Sequence, residues 1–383
     1  MNPRLHSRIK TIFFEATGLP PNQRPQFVEQ ACGDDAALRR EVETLLAHHD
    51  PRTIVADEGG PPAIPSAPVA APAVPLRKGR RLGQYELEEQ IGEGGMAQVF
   101  RARHVMLDRQ TAIKIVKPEQ ATAEMLARFE SEVRLASRLT HPNTIEIYDY
   151  GRTPDGIFYY AMELVSGFTL AQLLAVEGPL SPARTVHLLR QVCGSLREAH
   201  GLGLVHRDIK PQNIMICQRA GEADVVKVLD FGLVRSVDAA DSGVDSAPLA
   251  GTPLYMAPER LLDPLTTDPR SDIYSLGAVG FKLLTAKDVF PGNDAADILD
   301  HVLQTAPAHP AQIASTAIPA ELDRLIVACL AKDLDDRPAN IDDVLAILDG
   351  LAVVDPWSQA DALRWWLTHA QPVQSGPTAR GDT

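Results

Sequence analysis

GLVHRDIKPQNIMI, residues 203–216, sets Asp208, Lys210 and Asn213 at offsets of zero, two and five between two short apolar runs. Three polar groups of different chemistry therefore share one tight loop. The carboxylate can accept a proton from a hydroxyl, the ammonium can neutralise charge on a group in transfer, and the amide oxygen can ligate a metal without adding charge.

Other stretches supply matching chemistry. In VLDFGL, residues 228–233, Asp230 ends an apolar strand and offers a second metal ligand. One Asp and one Asn on adjacent loops suit Mg2+, which is commonly held by few protein oxygens together with substrate phosphate oxygens. In AIKIV, residues 112–116, Lys114 alternates among β-branched neighbours, which turns its side chain away from Ile113 and Ile115. The helix RFESEVRLASRL, residues 128–139, carries Glu130 and Glu132. Pairing with Glu132, preferred over Glu130, would hold Lys114 aimed at phosphate oxygens. In IGEGGMAQVF, residues 91–100, the glycines fall in a strand-turn-strand, where Gly92 and Gly94 let the backbone approach a phosphate closely. That context speaks against the dinucleotide-binding pattern, which needs a following helix. Taken singly, each stretch has a bland reading, because Gly-rich hairpins are common and a lone strand lysine is usually solvated.

Taken together, these residues resemble the eukaryotic-type protein kinase family in its bacterial, Hanks-type serine/threonine form. GEGGMAQV stands as the Gly-rich loop, AIK carries Lys114, and Glu132, HRDIKPQN, DFG at 230–232 and APE at 257–259 follow in the family's order. The resemblance implies an α+β, bilobal fold over residues 85–350, with a small β-rich lobe before a larger helical one. It implies ATP as phosphoryl donor and Mg2+, or alternatively Mn2+, held by Asn213 and Asp230. Asp208 would act as base, Lys210 and Lys114 would neutralise phosphates, and Glu132 would hold Lys114. Nucleotide contacts would come from Ile91, Gly92, Glu93, Gly94, Gly95, Met96, Ala97, Gln98 and Val99, from Lys114, and from Met162, Glu163 and Val165 at the back and hinge of the adenine pocket. Asp272 would brace the backbone of the 206–208 loop, and Arg337 would pair with Glu259. One position departs from the pattern: the third loop glycine is Ala97, which lacks the positive-φ freedom of glycine.

Lys210 in DIKPQN and Thr252 in GTPLYMAPE match the serine/threonine form of the family. Arg207, directly before Asp208, is the feature of members whose activation loop is ordered by a phosphate, and Arg235 could share the grip. Candidate acceptors are Ser236, Ser242 and Ser246, with Ser246 favoured. The alternative is a loop ordered without modification, with Asp238, Asp241 and Asp245 standing in for phosphate charge.

Outside this region the character changes. Residues 1–50 read as three short helices, with Leu5, Ile9, Ile12 and Phe13 in the first, Pro25 opening the second, and Leu38, Val42, Leu45 and Leu46 in the third. Residues 51–84, rich in Pro, Ala and Gly, read as an extended linker. Residues 351–383 read as one helix carrying Trp357, Trp365 and Trp366, expected to pack on the body of the protein, followed by a disordered tail. The resemblance suggests recruitment or regulation for the N-terminal unit.

The totals bound these readings. Against 37 Lys and Arg stand 50 Asp and Glu, a net charge of −13, which argues against a general nucleic-acid binder and against an anionic membrane surface. Four scattered cysteines form no C-x-x-C pair, and no run of 18 apolar residues occurs, so a reduced cytoplasmic setting without a membrane span is expected. The expected partners are protein substrates and a second copy of the chain for autophosphorylation in trans. The rival readings are a nucleotide-binding scaffold without transfer, which lost motif residues would favour, and a small-molecule kinase, which would generally lack the APE segment. Lys114, Asp208, Asn213 and Asp230 are all retained.

Overall fold

The computed structural model describes residues 76–93, 97–116, 123–153, 156–231, 253–263, 266–292, 294–351 and 356–369, together with residues 12, 23–33, 35, 38, 39 and 42. The chain parts into two compact units, Met1–Ala70 and Ala71–Thr383. In the first, helix α1 (Arg24–Cys32) has a proline in its first turn, where the missing N–H costs nothing. Val28 and Cys32 close a small apolar cluster with Ile12, Leu38 and Val42. The remaining residues named for the outer two helices, Leu5, Ile9, Phe13, Leu45 and Leu46, lie outside the described residues, as does the linker sequence up to Pro75.

The second unit begins before Tyr85. Arg81–Leu82 forms a short strand, β1, paired with Tyr85 and Glu86, and Leu82 is fully buried. The end of the expected linker therefore belongs to the sheet, because Gly83, at φ +56°, turns the chain back and one leucine is long enough to reach the core.

Six antiparallel strands follow the order β1-β2-β3-β4-β6-β5, with β2 Tyr85–Glu93, β3 Ala97–His104, β4 Arg109–Val116, β5 Ile147–Arg152 and β6 Phe158–Glu163. The period-2 pattern splits strands β4 and β6 between two cores. Ile113, Ile115, Tyr159 and Ala161 join one cluster with Leu87 and Phe100. Ala112, Val116, Phe158, Tyr160 and Met162 face the other, which runs on into the helical lobe. Lys114 alternates with the first set, as its neighbours required. Helix α2 (Ala123–Ala136) packs Phe129 edge-on against Phe158, with ring centroids 4.9 Å apart.

The second lobe is built on α4 (Pro182–Gly201) and α6 (Arg270–Thr285), with α3 (Leu170–Glu177), α5 (Pro258–Leu262), α7 (Ala295–Gln304), α8 (Ala320–Cys329), α9 (Ile341–Gly350) and α10 (Gln359–His369) around them. Ser181 caps α4 before Pro182, and Thr169 and Gln172 form a capping box on α3. A three-stranded sheet, β7 (Gly167–Thr169), β8 (Ile214–Arg219) and β9 (Glu222–Val228), sits inside this lobe, and of it the sequence had shown only the apolar strand that leads to Asp230. Gly167 allows it, since a Cβ there would collide with the Ile216 carbonyl. Trp357 stands just before α10, not within it as expected.

Candidate functional site

The loop between α4 and β8 is held from beneath by α6. Asp272 is fully buried and accepts the backbone N–H of His206 at 2.7 Å and of Arg207 at 2.8 Å, as well as a bond from the His200 ring at 2.9 Å. Burial opposes its charge, but hydrogen bonding from His200 and the backbone outweighs this and holds the carboxyl below its usual range. The His206 ring bonds the Leu229 carbonyl at 2.8 Å, so it ties the loop to the segment leading into Asp230. Arg207 takes a positive φ of 66° within this bracing, and Arg260 of α5 donates to its carbonyl.

These constraints gather Asp208, Lys210 and Asn213. Lys210 Nζ lies 2.7 Å from Asp208 Oδ2. Asn213, at the end of a 3-10 turn begun by Pro211, donates from Nδ2 to the same oxygen at 2.7 Å and to the Asp208 carbonyl at 2.9 Å. Both bonds use the nitrogen end of the amide, which leaves its oxygen end as the one suited to a cation.

Asp230 follows β9 with a φ of +51°. Its Oδ1 meets Lys114 Nζ at 2.7 Å and accepts from the Tyr160 hydroxyl at 3.1 Å. Burial opposes charge here too, and Lys114 with Tyr160 brings the Asp230 pKa below its ordinary value. Register explains the convergence: Val99, Lys114 and Tyr160 are cross-strand partners on β3, β4 and β6, so all three side chains leave one face.

The expected Lys114–Glu132 pair is not formed. Glu132 Oε1 instead accepts from Arg207 Nη1 at 3.1 Å. The four groups are two cations and two carboxylates, all mostly buried, and each cation takes one carboxylate. Either pairing neutralises both cations, so charge alone does not select the expected one.

Of the Gly-rich loop, Ile91, Gly92 and Glu93 end β2 and Ala97, Gln98 and Val99 open β3, with Gly92 opposite Val99 and Glu93 opposite Gln98. Gly94, Gly95 and Met96 lie outside the described residues, as do Gly232, Arg235, Ser236, Asp238, Asp241, Ser242, Asp245, Ser246 and Thr252. Met162 is buried, and Val165 packs on the main core. Glu163 is gripped from the other lobe by Arg219 of β8 and by Lys227 of β9, the latter at 2.9 Å.

A cleft of about 580 Å³ is lined by Arg207, Asp208, Lys210 and Asn213 and by Leu254, Tyr255 and Met256. Arg337 braces this region through a two-pronged contact with Glu259 at 2.9 and 2.7 Å, the partnership expected for it. Tyr160, Arg219, Lys227 and Arg260 were not singled out in the sequence. For Tyr160 a signal existed: it lies two residues before Met162, on the face that Lys114 shares.

The family described as protein kinase domain matches residues 85–347. Among curated relatives, serine/threonine-protein kinase pkn3 of Myxococcus xanthus is 40% identical over 262 residues, covering 67% of this chain and 48% of its own length. PknB of Mycolicibacterium smegmatis is 34% identical over 308 residues, covering 78% and 48%, and PrkC of Bacillus subtilis is 36% identical over 271 residues, covering 70% and 40%. The chain thus spans half or less of the length of these relatives. Among solved structures, a point mutant of the PknI kinase domain of Mycobacterium tuberculosis superposes with a TM-score of 0.57 at 24% identity, covering 72% of this chain and 98% of that one. Rad53 1–466 in complex with AMP-PNP has a TM-score of 0.57 at 23% identity, covering 68% and 64%. At such identities these two speak to the fold.

Proposed function

The chain belongs to the protein kinase family, and from that premise we propose that it transfers the γ-phosphoryl group of ATP to serine and threonine hydroxyls of proteins in bacterial signalling. The observation that carries the proposal is the joint placement of Asp208, Lys210 and Asn213 beside a cleft open to an acceptor. Asp208 orients the acceptor hydroxyl and takes its proton as the new O–P bond forms and the bond from Pγ to the β-phosphate oxygen breaks. Lys210 and Lys114 stabilise the charge spread over the phosphoryl oxygens, and little else is required because positioning and electrostatics supply most of the catalysis. The Asn213 amide oxygen and the Asp230 carboxylate fit a hard divalent ion of the Mg2+ or Mn2+ type, and when bound it would neutralise phosphate charge. A productive arrangement needs Lys114 to exchange Asp230 for Glu132, which frees the carboxylate for that ion.

The test is mass spectrometry of the dephosphorylated protein after incubation with ATP and Mg2+, beside Asp208→Asn. Phosphate on Ser or Thr in the parent alone supports transfer. The hold of Asp230 on Lys114 favours a second reading, a scaffold that binds nucleotide without transferring phosphate. Binding of ATP with no phosphate gained on the chain or on a basic protein substrate would select that reading.

The remaining assignments belong to the same proposal. The domains are a helical regulatory unit at 1–50, a linker from 51, the kinase domain to 350, and a C-terminal segment at 351–383. The partners are protein substrates and a second copy of the chain acting in trans, with neither nucleic acid nor membrane among them. A reducing cytoplasm suits four buried free cysteines. No described helix is long and apolar enough to cross a membrane.

A further inference from the structure

The family match ends at residue 347, yet the buried surface continues beyond it. Residues 356–369 carry Trp357, Trp365 and Trp366, all the tryptophan in the chain, and these rings gather round one fully buried ion pair. Arg184 of α4 meets Asp224 through Nε at 2.8 Å and Nη2 at 3.0 Å, and Glu177 through Nη1 at 2.5 Å. The rings of Trp357 and Trp365 lie 4.6 and 4.4 Å from its guanidinium carbon. The indole N–H groups of Trp357 and Trp366 donate to the two Asp224 oxygens at 3.0 and 2.8 Å. Gln359 adds a reciprocal pair of bonds with the Ala223 backbone. A buried ion pair needs such bonds to offset desolvation, and the C-terminal segment provides them.

The anchor point matters more than the anchoring. Ala223 and Asp224 lie near the turn of the β8–β9 hairpin. Asn213 directly precedes β8, Asp230 follows the end of β9, and Arg219 and Lys227 of the same hairpin grip Glu163. Separately, Trp365 and Trp366 each meet the Phe168 ring at 5.5 Å, in the strand that leaves the 163–165 segment.

We propose that residues 356–369 form a strap that positions the nucleotide site. It acts through Phe168 on the hinge and through Asp224 on the hairpin bearing Asn213 and Asp230 at its ends. Trp366 and Phe168 are then positioning residues, and the inference rests on the reading of that site as one for ATP.

Intrinsic fluorescence, excited at the red edge of tryptophan absorption, reports on the strap alone. The full chain is titrated with AMP-PNP and Mg2+, and binding is measured in parallel by calorimetry. The expected result is an emission change with the calorimetric midpoint. Phe168→Leu should abolish that change and weaken binding about fivefold, the size of one ordinary contact. Trp366→Phe keeps a ring but removes the N–H, and it should raise the KM for ATP about fivefold with kcat held within about twofold, a split that general loss of stability would not produce. The strap is overturned if the nucleotide binds while emission stays flat. It is equally overturned if both variants lower the melting temperature yet leave affinity and KM unchanged. In either case the ATP site survives, whereas a parent that binds no nucleotide would sink both readings.

Discussion

At the scale of single residues, Asp208 is fixed by Lys210, by Asn213 and by the His206 ring beneath its own backbone N–H. Asp208→Asn preserves size and removes the base, so transfer should fall by about 10²- to 10⁴-fold while ATP affinity holds, measured by single-turnover transfer beside calorimetry. Tyr160 gives a different kind of test. Its hydroxyl is buried and donates to a carboxylate that keeps Lys114 as partner, so Tyr160→Phe should cost about 1.5–3 kcal/mol in denaturant unfolding. The first of these residues was legible in the sequence because its loop chemistry is local. For Tyr160 the alternation with Met162 showed the face, but not the partner, which lies 70 residues away.

At the scale of elements, Glu132 of helix α2 sits on Arg207, while Lys114 sits on Asp230. An activation-loop phosphate that engaged Arg207 would compete with Glu132 and send it toward Lys114. Arg207→Gln removes that competitor, so the unphosphorylated protein should transfer phosphate about two- to fivefold faster, the worth of one modest ion pair. It should also lose further stimulation on phosphorylation, read by steady-state rates before and after phosphatase treatment. Strands β2 and β3 were legible because apolar and polar residues alternate along them, and β4 and β6 because β-branched or aromatic residues fill short runs of six to eight. The β7 strand is only three residues long and pairs across a glycine, so nothing periodic announced it. The pairing of Glu132 hid for another reason: composition shows which charges are present, and only the packed arrangement decides which of two acceptable partners each one takes.

At the scale of the whole molecule, buried and half-buried ionisable groups make stability depend on pH in two separate windows. His141, His187 and His206 all have pKa values pushed down, with burial the first cause. Above about pH 6.5 they are neutral folded or unfolded, and below it the unfolded chain binds protons first, so stability is lost. Asp230, Asp272 and Glu259 have depressed values, so their contribution is present above about pH 4 and disappears below it. Calorimetric melting should therefore be level near pH 7–8, decline from about pH 6.5, and fall again below about pH 4. A melting temperature level down to about pH 4 would remove the histidines from this account. Arg184→Met leaves the Asp224 charge buried without its cation and should cost about 3–5 kcal/mol in chemical unfolding. The fold class and the packing of the tryptophans on the body were legible at this scale, but their hold on an ion pair was not, because Arg184 and Asp224 look like surface residues until the strap covers them. That cover also sets an order of assembly on the ribosome. Asp224 is synthesised 133 residues before Trp357, an interval of roughly ten seconds at ordinary elongation rates. Until then the Arg184–Asp224 pair lacks the rings and indole N–H groups that cover it, so a nascent lobe already folded elsewhere would wait on helix α10 to close over that pair.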